Sequence, residues 1–291
     1  MKKRTKIISL SILLFILQAT STAFAQGFGD KILFNDHWSF HLGDIEYGGI
    51  EHLDHSAWRV LDLPHDWSVE GIASNKNSSC TGFLAGGIAW YRKSFDMSLN
   101  KKGEKVYIYF EGVYNNSEVF INGKNVGKRP NGYISFMYDL TPYLKFGEKN
   151  TLAVKVNHSE DADSRWYTGS GIYRDVYMVY AQPVHIDLWG VFYTTEQTGA
   201  STNVKIETNI INTKTRDGSV IPVIVKQELF DAVGKKVAYT VSTSQVTDKN
   251  KINRLLQEDS MAIRRSPRQP QTRVRNRRTT TTIRLEPTTM V

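Results

Sequence analysis

Three stretches of the sequence hold side chains equipped for chemistry. LPHDW (residues 63–67) sets His65 beside Asp66, the residue types of an acid–base pair. NHSEDADSRW (157–166) gathers hydrogen-bond acceptors at Asn157 and Asp161, a guanidinium at Arg165 that can donate two parallel bonds, and a flat indole at Trp166. RRSPRQPQTRVRNRR (264–278) has the cationic, proline-containing make-up of a nucleic-acid-binding arm. A fourth candidate, Cys80, is the one cysteine in the chain.

Spacing removes several of these chemistries. Neighbouring residues on an extended chain point to opposite faces, so His65 and Asp66 do not form a dyad. Trp67 reads as a core residue and Asp66 as a turn or interdomain anchor. Cys80 lies in the polar loop SNKNSSCTG with no partner spaced for a nucleophile or a metal, so it reads as a bystander thiol. One cysteine also excludes an internal disulfide, leaving the core to hold the fold. GSG (169–171) precedes no helix, so it is a turn and packing element, as is Arg174, and not a phosphate loop. No cofactor and no metal site is implied.

The charge is unevenly placed. The formal total is +8, yet nine arginines and one lysine stand against three acids after residue 250, and four cations fall within the first six residues. The body between is mildly acidic and offers no basic surface for phosphate. The first cluster belongs to a leader: a positive start, the apolar run IISLSILLFIL (7–17) and the small-x-small site at Ala23 and Ala25 read as a secretory signal peptide over residues 1–25. Export to the periplasm or the extracellular space is expected. No other apolar run reaches the ~18 residues that argue a membrane helix, and an exported protein rarely meets nucleic acid.

The elements that must position the candidate residues are strands. VYIYF (106–110) and LAVKVN (152–157) alternate; WYRKSF (90–95), SEVFI (117–121), YISFMY (133–138) and DVYMVY (175–180) are further short runs between turn residues. This is the pattern of a sandwich or barrel. Asn122-Gly123 suits a type I′ hairpin turn. DLTPYL (139–144) reads as one helical turn capped by Asp139 or Thr141 with Pro142 in its first turn. The absence of long amphipathic helices excludes a βαβ-type fold. After Pro183 the strands lengthen, as in NVKIETNIIN (203–212) and VIPVIVKQELF (220–230), and the pattern stops near Val246. An immunoglobulin-like sandwich needs about seven strands, so this second domain reads as incomplete. The remaining tail changes composition: residues 1–250 hold 20 Lys and 7 Arg, whereas 251–291 hold 1 Lys and 9 Arg, with Thr279–Thr282 a homopolymer. Residues 249–291 are therefore expected to be a disordered basic tail, either out of frame or authentic.

LPHDW, GGIAWYRKSF (86–95), FEGVYNNSEVFINGKNVGKRPNGYISFMYDLTPYL (110–144) and SRWYTGSGIYRDV (164–176) together resemble the N-terminal sugar-binding domain of glycoside hydrolase family 2, most nearly bacterial β-galactosidases. The resemblance covers nearly all of 26–182, and residues 183–248 are similar to the start of that family's immunoglobulin-like domain. It implies an all-β fold: a jelly-roll, galactose-binding-like sandwich followed by a partial immunoglobulin-like one. In the family a catalytic (β/α)8 barrel follows, with two glutamates ~5–5.5 Å apart for retaining hydrolysis of a β-glycoside. Such a barrel needs ~250 residues, so no catalytic residue is assigned here. What the resemblance implies instead is a non-catalytic carbohydrate-binding portion, with a free-standing lectin-like module as the alternative. Asn157, Asp161, Arg165 and Trp166 are the candidate carbohydrate-binding residues: Trp166 to stack a pyranose, Arg165 to donate a fork of bonds, Asn157 or Asp161 to accept hydroxyls. The alternative for Arg165 and Trp166 is a locking contact to the barrel. Phe83 and Leu84, in the long loop 75–87, either line a subsite or dock on another domain. The partner expected is a β-galactoside-like glycan.

Overall fold

The computed structural model describes residues 28–160, 164–198, 201–214, 220–231, 234–247, 253–257, 263–264 and 280–287. The leader, Asp161 and most of the basic tail lie outside them.

The first ten strands are β1 (Asp30–Leu33), β2 (Trp38–Leu42), β3 (Arg59–Leu61), β4 (Gly87–Asp96), β5 (Lys105–Phe110), β6 (Ser117–Ile121), β7 (Lys124–Arg129), β8 (Phe136–Asp139), β9 (Lys149–His158) and β10 (Val176–Ala181). They form a six-stranded sheet in the order β3-β2-β4-β9-β6-β7 facing a four-stranded sheet, β1-β10-β5-β8. All pairings are antiparallel. Alternation along each strand supplies one inward row, and those rows meet in a core built on Trp38, Tyr91, Ile108, Phe110, Phe136 and Leu152, with Phe110 and Phe136 stacked at 5.0 Å. Each such side chain contributes roughly 1.5–3 kcal/mol when fully withdrawn from water. Asn122 and Gly123 both take positive φ (48° and 79°), the backbone a tight β6–β7 hairpin turn requires. Thr141–Tyr143 forms the expected helical turn as a 3-10 turn, but Leu140, not Asp139 or Thr141, is its N-cap; the Asp139 carboxylate accepts the Thr141 N–H at 2.9 Å from one residue further out.

Two strand expectations shift. The run 133–138 begins pairing only at Phe136, because Asn131 accepts the N–H groups of Tyr133 (2.8 Å) and Ile134 (3.2 Å) and holds them in a turn. In β5 the alternation is hidden by burial of every residue from Val106 to Phe110. Tyr107 and Tyr109 face outward, where a second small core covers them together with Val179, Ala181 and Leu188.

Phe28, Met137 and Tyr177 of the first domain supply part of that cover, and Leu188 of the second sandwich supplies the rest. The long strands of that sandwich are β11 (Val184–Thr198), β12 (Ser201–Asn212), β13 (Ile221–Phe230) and β14 (Lys236–Val246). Its core holds Ile186, Ile206, Ile210, Val225 and Leu229, with a buried Gln227 donating to Thr208 Oγ1 at 3.0 Å. Within the tail, the described residues are three short strand segments. β15 (Asn253–Gln257) and β16 (Ile263–Arg264) pair with β12, and β17 (Thr280–Pro287) pairs with β13. The reason is twofold. β12 and β13 present backbone edges that need partners, and the threonine homopolymer is β-branched and suits a strand.

Candidate functional site

One end of the first sandwich collects the segments that carry the candidate residues: the turn after β3, the β5–β6 and β7–β8 connections, and the stretch from the end of β9 to β10. Asp66 ties them together. Its Oδ1 accepts the N–H groups of Ser68 (3.0 Å) and Ser170 (2.8 Å), and its Oδ2 accepts the Tyr167 hydroxyl. Burial and that carboxylate push the Tyr167 phenol well above its ordinary range, so it stays a donor. Gly169, at φ 76°, sits where a Cβ would lie 2.8 Å from Asp66 Oδ2, and a Cβ on Gly171 would lie 2.4 Å from the Tyr91 hydroxyl. Both glycines are therefore dictated by close approach and by left-handed backbone. Asp66 is an anchor, as its place in the sequence suggests.

His65 points the other way. Its ring packs edge-on against Phe40 at 4.6 Å, Nδ1 lies 2.8 Å from the Tyr91 hydroxyl, and Nε2 is met by Arg59 (3.1 Å) and Glu70 (3.2 Å). Burial pushes its pKa below the ordinary value, with Glu70 pulling in the opposite direction. Arg59 and Glu70 hold each other through two bonds of 2.9 and 2.6 Å. The group braces the wall behind Asp66. Trp67 is a core residue, 4 % exposed.

Trp166 is 60 % exposed and donates its indole N–H to the Tyr133 hydroxyl at 3.0 Å. Tyr133 meets Tyr114 edge-on at 5.3 Å, and Tyr114 meets His158 at 4.9 Å. The three loops thus build an aromatic ledge with its outer indole open to solvent. Arg165 is exposed on the same turn. Asn157 is half-buried, and its side-chain oxygen accepts from the N–H (3.1 Å) and the hydroxyl (2.7 Å) of Ser159. It shapes the start of the loop. Tyr133 and Tyr167 were not foreseen: Tyr133 sat inside an apparent strand, and its partner Trp166 is 33 residues away.

Beside the ledge a cleft of about 250 Å³ opens between the loop 77–87 and the end of β9, lined by Asn77, Ser78, Thr81, Leu84, His158 and Glu160 among others. Ser170 Oγ bridges His158 Nδ1 and Ser68 Oγ, each at 2.6 Å, which fixes the cleft to the Asp66 turn. Leu84 lines this cleft, while Phe83 is 44 % exposed at the loop's tip. A flat aromatic surface next to a pocket of hydroxyl and amide groups can hold a polyol by stacking and hydrogen bonding. Among the described residues no group of three or more His, Cys, Asp or Glu is placed to hold a metal ion.

Residues 79–183 match the family model described as glycosyl hydrolases family 2, sugar binding domain. The chain is 46 % identical over 215 residues to the β-galactosidase BoGH2A of Bacteroides ovatus, covering 73 % of this chain and 25 % of that one. It is 31 % identical over 175 residues to a β-glucuronidase of Bacteroides fragilis, covering 58 % and 23 %. Among solved structures, a β-glycosidase from Bacteroides vulgatus superposes with a TM-score of 0.70 at 38 % identity, covering 78 % of this chain and 33 % of that one. The chain spans about a quarter of the length of these curated relatives.

Proposed function

The chain carries the sugar-binding domain of glycoside hydrolase family 2 and is the counterpart of the N-terminal part of those enzymes, and on that premise we propose that it binds the terminal sugar of a β-galactoside-like glycan and does not itself hydrolyse it. The observation that carries the reading is the ledge of Trp166 and Tyr133 beside the cleft, both fastened to Asp66. The indole supplies a stacking face, Arg165 supplies donors, and Glu160 with Ser159 and Asn77 supplies the cleft's polar rim. Galactose is favoured over glucuronate by the longer match alone: 215 residues to the galactosidase against 164 to a putative β-glucuronidase of Formosa agariphila, both at 46 % identity. The leader over residues 1–25 supports export, which would place the protein where glycans are met.

Hydrolysis needs one carboxyl able to release a proton and a second free to attack. Asp66 is engaged through both oxygens by three donors and is suited to neither task. The expected result with the chain from Gln26 onward is no turnover of an aryl β-galactoside or β-glucuronide above background. Hydrolysis that disappears on replacing any single glutamate would overturn the non-catalytic reading.

A further inference from the structure

We propose that the contact between His185 and Tyr107 is a protonation-controlled latch between the two sandwiches, closed while the imidazole is neutral and loosened when it takes a proton. His185 opens β11 in the second sandwich and is 5 % exposed; Tyr107 lies on β5 in the first and is 6 % exposed. His185 Nδ1 is 2.7 Å from the Gln182 carbonyl. A carbonyl only accepts, so Nδ1 carries the hydrogen. Nε2 of a neutral ring is then a lone pair, and the Tyr107 hydroxyl, 3.2 Å away, donates to it. Two residues later β11 bulges, and Leu188 enters the apolar seam beside Tyr107 and Tyr109. The same short segment thus makes both the polar and the apolar contact across the joint.

A proton on Nε2 removes the acceptor that the phenol uses. The ring becomes a donor at both nitrogens, and the Tyr107 hydroxyl must turn its own hydrogen elsewhere within a buried seam, where an unsatisfied donor is costly. The charges facing the ring are mixed. Asp187 on β11 and Asp139 on β8 favour the imidazolium, and Lys105 on β5, itself paired with Asp139 at 2.5 Å, opposes it. Burial outweighs the carboxylates and pushes the ring below its ordinary value. With the folded value depressed, the unfolded chain binds the proton first. The latch's contribution is then complete above ~6.5, the ordinary histidine value, and is lost as pH falls through the lower folded value.

Hydrogen exchange of the full chain, followed peptide by peptide between about pH 7.5 and about pH 5 and corrected for the intrinsic pH dependence of exchange, tests this. The expectation is about a tenfold loss of protection in 182–190 and 105–109 on acidification, with no such step in His185→Gln. Tyr107→Phe keeps the ring but withdraws the donor to Nε2, so the latch is open at every pH and its step disappears. His65, the other buried histidine with a lowered value, reports through its own peptide, 63–70, and separates general acid loosening from the latch. A wild-type chain with no step at the joint overturns the proposal, as does a step that survives His185→Gln. Should His185→Gln fail to fold, Tyr107→Phe decides alone: a step of wild-type size overturns the latch.

Discussion

Replacing Arg92 by alanine is expected to destabilise the first sandwich by roughly 3 kcal/mol, because each buried carbonyl acceptor left without its donor costs about 1–3 kcal/mol. Arg92 stands on β4, wholly buried, and is held by backbone carbonyls: Nη1 donates to Gly48 at 2.6 Å, and Nη2 donates to Ile50 (2.9 Å) and Glu51 (3.0 Å). These belong to a strap, residues 44–51, laid across the outer face of the six-stranded sheet. The strap lies so close that a Cβ on Gly48 would sit 2.5 Å from the Trp90 ring, and one on Gly49 2.6 Å from Phe120. Its ends are pinned by Lys155 to Asp44 at 2.8 Å and by Lys145 to Glu51. Alanine leaves three carbonyls without the donors they were folded around and opens a void beneath the strap. Arg92→Lys retains the charge but not the planar fork that reaches two sides at once, so it should fall between the two. Denaturant titration of the three proteins checks the order. A loss below about 1 kcal/mol for the alanine variant would mean that water replaces the guanidinium without penalty.

Asp66→Ala should cost about 2–3 kcal/mol and release the segment carrying Arg165 and Trp166. A hydrogen bond to a charged group is worth ~1.5–3 kcal/mol, and Asp66 accepts three, though partial exposure discounts the sum. Asp66→Asn is the informative companion. Its oxygen can still accept the Ser68 and Ser170 N–H groups, and its amide can donate to the Tyr167 hydroxyl. Most of the stability should return. Limited proteolysis near residues 161–168 reads the release directly: faster cleavage in the alanine variant and near wild-type cleavage in the asparagine variant are expected. Equal cleavage in all three would remove Asp66 from its positioning role.

Much of this molecule is legible in its residues, and the exceptions have physical causes. Period-two alternation and turn dipeptides locate most strands of the first sandwich, because one face of each strand meets the core. The signal blurs at β5, where Tyr107 and Tyr109 are covered by Phe28, Met137, Tyr177 and, from the second domain, Leu188, an approach no local pattern encodes. It misleads at Tyr133, since an Asn131 turn outcompetes a β-rich run. The tail strands escape notice because their stability comes from the edges of β12 and β13 and not from their own alternation. In the site, Arg165 and Trp166 are adjacent and easily spotted as a pair, and Asp66 reads as an anchor. The partners that give Trp166 its orientation come from other loops. Asn157, a residue type suited to hydroxyls, has its side-chain oxygen engaged by Ser159, a contact that residue type alone does not announce.

The Trp166 edge is the surface proposed to hold a sugar. One stacked indole and two or three exposed hydrogen bonds, each worth ~0.5–1.5 kcal/mol net, leave little after the ligand is immobilised. The expected dissociation constant for galactose is about 1 mM or weaker, equivalent to roughly −4.1 kcal/mol or less. An NMR titration of the chain with galactose, repeated with glucuronate and with the Trp166→Ala variant, measures this. Fast-exchange shifts confined to Trp166, Tyr133 and the cleft residues are expected, abolished by Trp166→Ala. Shifts that persist in the variant, or that map to another face of the sandwich, would contradict sugar binding at this edge.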